Sequence, residues 1–204
     1  MKNANTDISN TQRTFSAQKI VVIAFAIALN VVGGYIALVL HLPIYLDSIG
    51  TILTAILYGP VIGMLPPLLY GLVAGFTVDI FSLYYMPVGL ILGLVTGLVA
   101  RFFSFKKWRV IPGALLITIP GTIVSSAITA FLFGGITSSG STILVQILHQ
   151  AGLGLTASVF IVQILTDYAD RLLSLLLIMA LLRVIPANLL GDSAFSTAKG
   201  RSGN

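Results

Sequence analysis

This chain contains no cysteine and no glutamate. The first absence removes disulfides, thiolate metal sites and cysteine nucleophiles. The second leaves aspartate as the sole acid, at six positions. Charge of either sign is scarce, at 8% of the 204 residues, whereas 57% are hydrophobic. A soluble domain carries roughly a quarter charged residues, so this much apolar surface calls for lipid as its solvent. Motifs of several function classes are missing too. There is no G-x-x-x-x-G-K-[ST] to cradle nucleotide phosphates, no H-E-x-x-H to hold zinc and no G-x-S-x-G nucleophile elbow. Asp167 and Asp170 stand three apart, but no Asp/Asp or Asp/His set has metal-ligand character. No metal, cofactor or catalytic residue is expected.

The cations that are present are strongly segregated. Of eleven, Lys2, Arg13 and Lys19 lie at the N-terminal end, Arg101, Lys106, Lys107 and Arg109 in and beside one middle loop, and Arg183, Lys199 and Arg201 at the C-terminal end. Arg171 alone departs from the pattern. Basic residues are retained on the cytoplasmic side of a bilayer, so these three regions are assigned inside. The net charge of +5 follows this orientation rule and suits anionic headgroups; nucleic acid is excluded as a partner. Asp47, Asp79, Asp167 and Asp170 fall toward the opposite ends of the apolar runs.

A helix needs about 20 apolar residues to cross a hydrocarbon core of about 30 Å. Residues 20–40 meet this, and the run is too long for a signal-peptide core, so it reads as a retained first span. Residues 46–57 are short for a second span and must borrow loop residues, lie deep or be irregular. Further spans are expected over 61–81, 86–103 and 110–133, with the last over 170–184. Residues 143–165 are apolar but interrupted by Gln146, His149, Gln150, Gly152 and Gly154. Were they a crossing, Arg183 and the C-terminal cations would face outside, so the segment is expected to lie at or dip into the outer face. The fold class is therefore all-α: a polytopic six-helix membrane bundle over 19–186, with cytoplasmic tails at 1–18 and 187–204, the latter disordered. Glycines four apart, at Gly71 and Gly75 and at Gly89, Gly93 and Gly97, let helices pack closely. Ala24 and Ala28 share that spacing.

The outer connections gather the polar and aromatic groups. A pocket for a small water-soluble ligand needs aromatic walls and a few placed hydrogen-bonding groups. Tyr45, Asp47, Asp79, Tyr84, Tyr85, Gln146 and His149 are the candidates, with Asn30 at the floor. Each has a plainer use. The tyrosines suit an interfacial belt, Asp47 could cap the second helix, His149 could be a loop histidine, and Asn30 could bond a neighbouring helix. Arg171 is expected to pair with Asp167 or Asp170. Two other functions remain open. One is an intramembrane hydrolase using Ser125, Ser126 or Ser139 with His149; the other is a stand-alone carrier or channel.

From about Lys19 to Pro186 the chain resembles the substrate-binding S components of energy-coupling factor (ECF) vitamin transporters. The likeness rests on its size, its spans and its basic inner loop. It rests also on Ala24-x-x-x-Ala28, the run Leu46-Asp47-Ser48-Ile49-Gly50-Thr51, the turn Tyr58-Gly59-Pro60-x-x-Gly63, and Leu165-Thr166-Asp167-Tyr168-Ala169-Asp170-Arg171. The resemblance implies a multi-pass protein of the bacterial plasma membrane that is not an enzyme. It implies capture of a vitamin or precursor at the outer side, pyridoxine- or hydroxymethylpyrimidine-like or of the cobalamin type. Loops between spans one and two, and three and four, would close over the ligand. Ala24 and Ala28 would dock on a membrane T component coupled to two cytoplasmic ATPases.

Overall fold

Within a bilayer every backbone polar group must be satisfied inside the protein, and a helix does this within one segment. The computed structural model describes residues 17–105 and 107–184, and every regular element among them is helical. In chain order these are α1 (Ala17–Val39), α2 (Ile49–Tyr58), α3 (Pro60–Gly63), α4 (Leu65–Thr77), α5 (Phe81–Phe102), α6 (Val110–Ala127), α7 (Ser141–Gln150) and α8 (Leu155–Val184). A π turn, Ile128–Leu132, prolongs α6. Among the described residues, four segments are long and apolar enough to cross a membrane: Ala17–Val39, Pro60–Thr77, Phe81–Phe102 and Val110–Leu132. Large apolar side chains such as Val21, Phe25, Phe76 and Phe131 stand more than half exposed on their outer faces. These features fit a membrane location. The tails expected at 1–18 and 187–204 lie outside the described residues, except that Ala17 and Gln18 open α1.

Successive long segments run antiparallel, as their closest approaches show. Along the α3–α4 column and α5, Pro60 meets Gly97, Gly63 meets Gly93, Pro67 meets Gly89, and Gly75 meets Leu83. A side chain at Gly93 or Gly97 would collide with backbone, so the glycine spacing sets how near these helices come. Against α1, α2 is held by Asn30, which donates to Thr51 Oγ1 at 2.9 Å and accepts from the Gly50 N–H at 2.8 Å. Against α6, α8 is held by the Thr122 hydroxyl on Asp167 at 2.7 Å and by Gln163 Nε2 on Thr129 at 2.6 Å.

This alternation collects Lys19, Arg101, Arg109 and Arg183 at one end, while Arg171 lies mid-helix in α8. The Lys19 ammonium lies 5.6 Å from the Tyr58 ring centroid, and the Arg109 guanidinium 5.2 Å from that of Phe103. Arg101 reaches Gly59, and Arg183 closes the last turn of α8. An apolar core fills this half, including Ile52, Leu57, Leu92, Ile117, Leu175 and Ile178. Loops 40–48, 78–80 and 133–140 meet at the far end.

The last helix differs from the expectation. α8 is 30 residues long, so it takes in the second half of 143–165 as well as the whole of 170–184. α7 takes the first half and ends at a turn where Gly152 has φ 100°. Asp167, Asp170 and Arg171 consequently lie near the middle of α8 and are buried, not at its mouth. A helix can carry three charges through the bundle because they meet one another and the hydroxyls of neighbouring elements. Hydropathy along the sequence registers the charges but not those partners.

Filling a close helix approach tests this packing. Gly97→Val should lower stability by about 1–3 kcal/mol through overpacking, whereas Gly154→Ala, with no atom within 4 Å of its new methyl group, should be neutral. Thermal unfolding in detergent measures both.

Candidate functional site

The site begins with a carboxylate that organises a loop. Residues 40–48 are not helical, and Leu46 has φ 54°, a left-handed conformation that costs a side-chain-bearing residue roughly 1–2 kcal/mol. Two consecutive backbone N–H groups offset that strain by converging on Oδ1 of Asp170, from Tyr45 at 3.2 Å and Leu46 at 2.7 Å. Its Oδ2 accepts from the Ser48 hydroxyl at 2.6 Å and pairs with the Arg171 guanidinium. Asp170 is fully buried. Asp47 does not cap α2: the cap position belongs to Ser48, whose hydroxyl is turned to Asp170 instead.

The loop is one wall of a cavity of about 130 Å³ in the half of the bundle away from the cations. Its aromatic walls are Tyr45, Tyr70, Phe81 and Tyr85. Deeper in, Thr51, Ser125, Asp167 and Arg171 supply polar groups, and Leu92 and Val88 continue into the apolar core. Thr137, Ser138 and Ser139 cover the outer side. That cover is pinned by the Ser138 hydroxyl on Asp79 Oδ2 at 2.5 Å, while Asp79 Oδ1 accepts from the Phe81 N–H. The Tyr85 hydroxyl bonds Thr129 in the π turn at 2.5 Å, and the wider turn of a π segment carries Thr129 to a point shared by α5, α6 and α8. Tyr45 sits in the loop, with its hydroxyl 3.4 Å from that of Ser141 at the start of α7.

Of the sequence candidates, Tyr45, Asp47, Asp79 and Tyr85 line this cavity. The other four do not. Tyr84 is half exposed and packs edge-on to Phe133, with ring centroids 5.3 Å apart. Gln146 and His149 lie on α7, and His149 Nδ1 is 2.9 Å from the Leu153 carbonyl. None of Ser125, Ser126 or Ser139 is hydrogen-bonded to that histidine. Asn30 is fully buried between α1 and α2 and serves the helix contact. Ala24 and Ala28 are exposed on the outer face of α1.

Of the other lining residues, Tyr70 is not singled out by the sequence, Ser125 enters only as a candidate nucleophile, and Asp167 and Arg171 are expected at the mouth of the last span and not inside the cavity. For the charged pair a signal was present: at i and i+4 they share one helix face, but the helix had been expected to start only at residue 170. Comparison of the chain with protein-family models, with curated proteins and with solved structures finds no match.

Removing the organising carboxylate should be costly. Asp170→Ala leaves Arg171 buried without its partner, a change worth about 3–5 kcal/mol. It should also free the loop, read as faster proteolysis within residues 41–47.

Proposed function

We propose that this chain is the substrate-binding S component of an ECF-type importer, set in a bacterial plasma membrane with six crossings and both termini cytoplasmic. The observation that carries the reading is the aromatic, hydrogen-bonding cavity at the end of the bundle opposite the cations. Cations stay on the cytoplasmic side, which turns the cavity mouth outward. Four crossings are the long apolar segments, and α8 is the fifth. The remaining one combines the ten residues of α2, about 15 Å of helix, with loop 40–48. Irregular backbone at such depth is tolerated where it lines a cavity.

The chain has no nucleotide-binding loop of its own, so the work of import falls to two ATPases acting through a T component. Ala24 and Ala28, small and exposed on α1, suit close docking of that partner helix. The ligand is a water-soluble vitamin or precursor, bound and released unchanged. A cavity of about 130 Å³ is near the size that holds benzene in an engineered core, about 150 Å³. One heteroaromatic ring of the pyridoxine or hydroxymethylpyrimidine kind fits that volume better than a cobalamin-type ligand.

One observation favours a second reading. Asp167, Asp170 and Arg171 are buried near the middle of α8, and ionisable groups at membrane depth serve ion coupling in stand-alone carriers. Uptake separates the two. In vesicles holding the purified chain alone, the receptor reading expects saturable binding of pyridoxine or hydroxymethylpyrimidine without transport, whereas a carrier accumulates them when an ion gradient is imposed.

Two sets of variants test the assignments. Asp79→Ala and Tyr85→Ala should each weaken ligand binding about tenfold, ~1.4 kcal/mol, in protein that still inserts; unchanged titrations for both would displace the site. Ala24→Trp and Ala28→Trp should bind ligand normally and lose uptake with the complete transporter. Normal uptake would remove the docking face.

A further inference from the structure

The receptor reading leaves open what charge its ligand carries. We infer that the cavity selects a single ring bearing a basic nitrogen, held in its protonated form, over rings of the same size that cannot be protonated; this rests on the cavity being the ligand site proposed above. Three carboxylates, Asp47, Asp79 and Asp167, line it against a single guanidinium, that of Arg171. Arg171 lies close to Asp167 and Asp47 but is also paired with Asp170, which is outside the lining, so one guanidinium is shared among three carboxylates and the acids remain in excess.

The hydrogen bonds show which carboxylate is left for a ligand. Both oxygens of Asp170 are occupied, one by two backbone N–H groups and the other by Ser48 and Arg171. Both oxygens of Asp79 are occupied as well, by Ser138 and the Phe81 N–H. Asp167 differs. It is 4% exposed, and its Oδ2 accepts from Thr122 at 2.7 Å and from Ser125 at 3.3 Å. Among the described residues no donor reaches its Oδ1. That oxygen is not among the enclosed, unpartnered atoms of the bundle, and Asp167 lines the cavity, so a donor can come from there. Asp47 adds a second negative group beside the Tyr70 hydroxyl.

The surroundings fit an organic cation and not a metal ion or an anion. Tyr45, Tyr70 and Tyr85 offer ring faces to a cation. Among the described residues no group of three or more His, Asp or Glu side chains is placed to hold a metal ion. An anion directed at Arg171 would meet the field of Asp170, Asp167 and Asp47, all close to the same guanidinium.

The test uses three probes of one ring and one substituent: benzylammonium, benzyl alcohol and benzoate. Each is titrated at neutral pH into the full chain in nanodiscs, and into Asp167→Asn and Asp47→Asn. Benzylammonium should bind at least about tenfold more tightly than benzyl alcohol, and benzoate most weakly. Asp167→Asn should reduce benzylammonium affinity by about tenfold while moving benzyl alcohol by less than about threefold. Should Asp167→Asn not fold, Asp47→Asn gives the same reading with a smaller drop. The inference is overturned if benzyl alcohol or benzoate binds as tightly as benzylammonium, if benzylammonium does not bind, or if neither variant narrows the preference. ATP-driven uptake, by the complete transporter, of a ring that cannot be protonated would end the charge selection and keep the receptor. Cation-selective binding without uptake in any complex would end the receptor and keep the selection.

Discussion

One buried carboxylate fixes the geometry on which the site depends. Asp170 gathers the N–H groups of Tyr45 and Leu46, the hydroxyl of Ser48 and the guanidinium of Arg171 at a single point inside the bundle. Buried ion pairs seldom add net stability over an apolar packing of similar volume. Their value here is positional. Loop 40–48 is drawn inward, Leu46 is held in a left-handed conformation, and α2 starts so late that only ten residues remain for it. The loop that precedes α2 becomes one wall of the cavity.

The bundle thus divides into halves of different character. Toward the cations, apolar side chains from α2, α5, α6 and α8 interlock, with Thr54, Thr96 and Thr118 buried among them, and the α3–α4 column meets α5 through glycines. Toward the other end, hydroxyls, amides and carboxylates bond across helices, with Thr129 joining α5, α6 and α8. The segment covering the cavity is anchored by Phe133 on the rings of Phe81, Tyr84 and Tyr85, and beyond it by hydrogen bonds, Ser138 to Asp79 and Thr137 to Thr142.

Much of this was legible in the chain. Apolar runs located α1, α5 and α6 to within a few residues, since solvent preference acts on each segment independently. The cation segregation agreed with the ends that the antiparallel packing brings together. The shortness of 46–57 matches the ten-residue α2 and the non-helical loop before it. Tyr45, Asp47, Asp79 and Tyr85 were recognisable as cavity residues because they border the outer connections. Tyr84, Gln146 and His149 border them equally and yet face elsewhere, as sequence adjacency to a loop does not say which way a side chain turns. Asn30 carried two readings, and the one realised is the helix contact.

The sequence by itself determined the helical class, the long apolar segments and the segments too short or too polar to match them. These follow from composition and spacing, which each stretch of chain expresses without reference to the others. Only the tertiary structure decided that α8 runs unbroken through Asp167, Asp170 and Arg171, that Asp170 serves the loop while Asp167 faces the cavity, and that Tyr70 closes a wall. A buried charge is tolerable or prohibitive according to the partners it meets. Those partners come from residues more than a hundred positions away, as Tyr45, Leu46 and Ser48 do for Asp170.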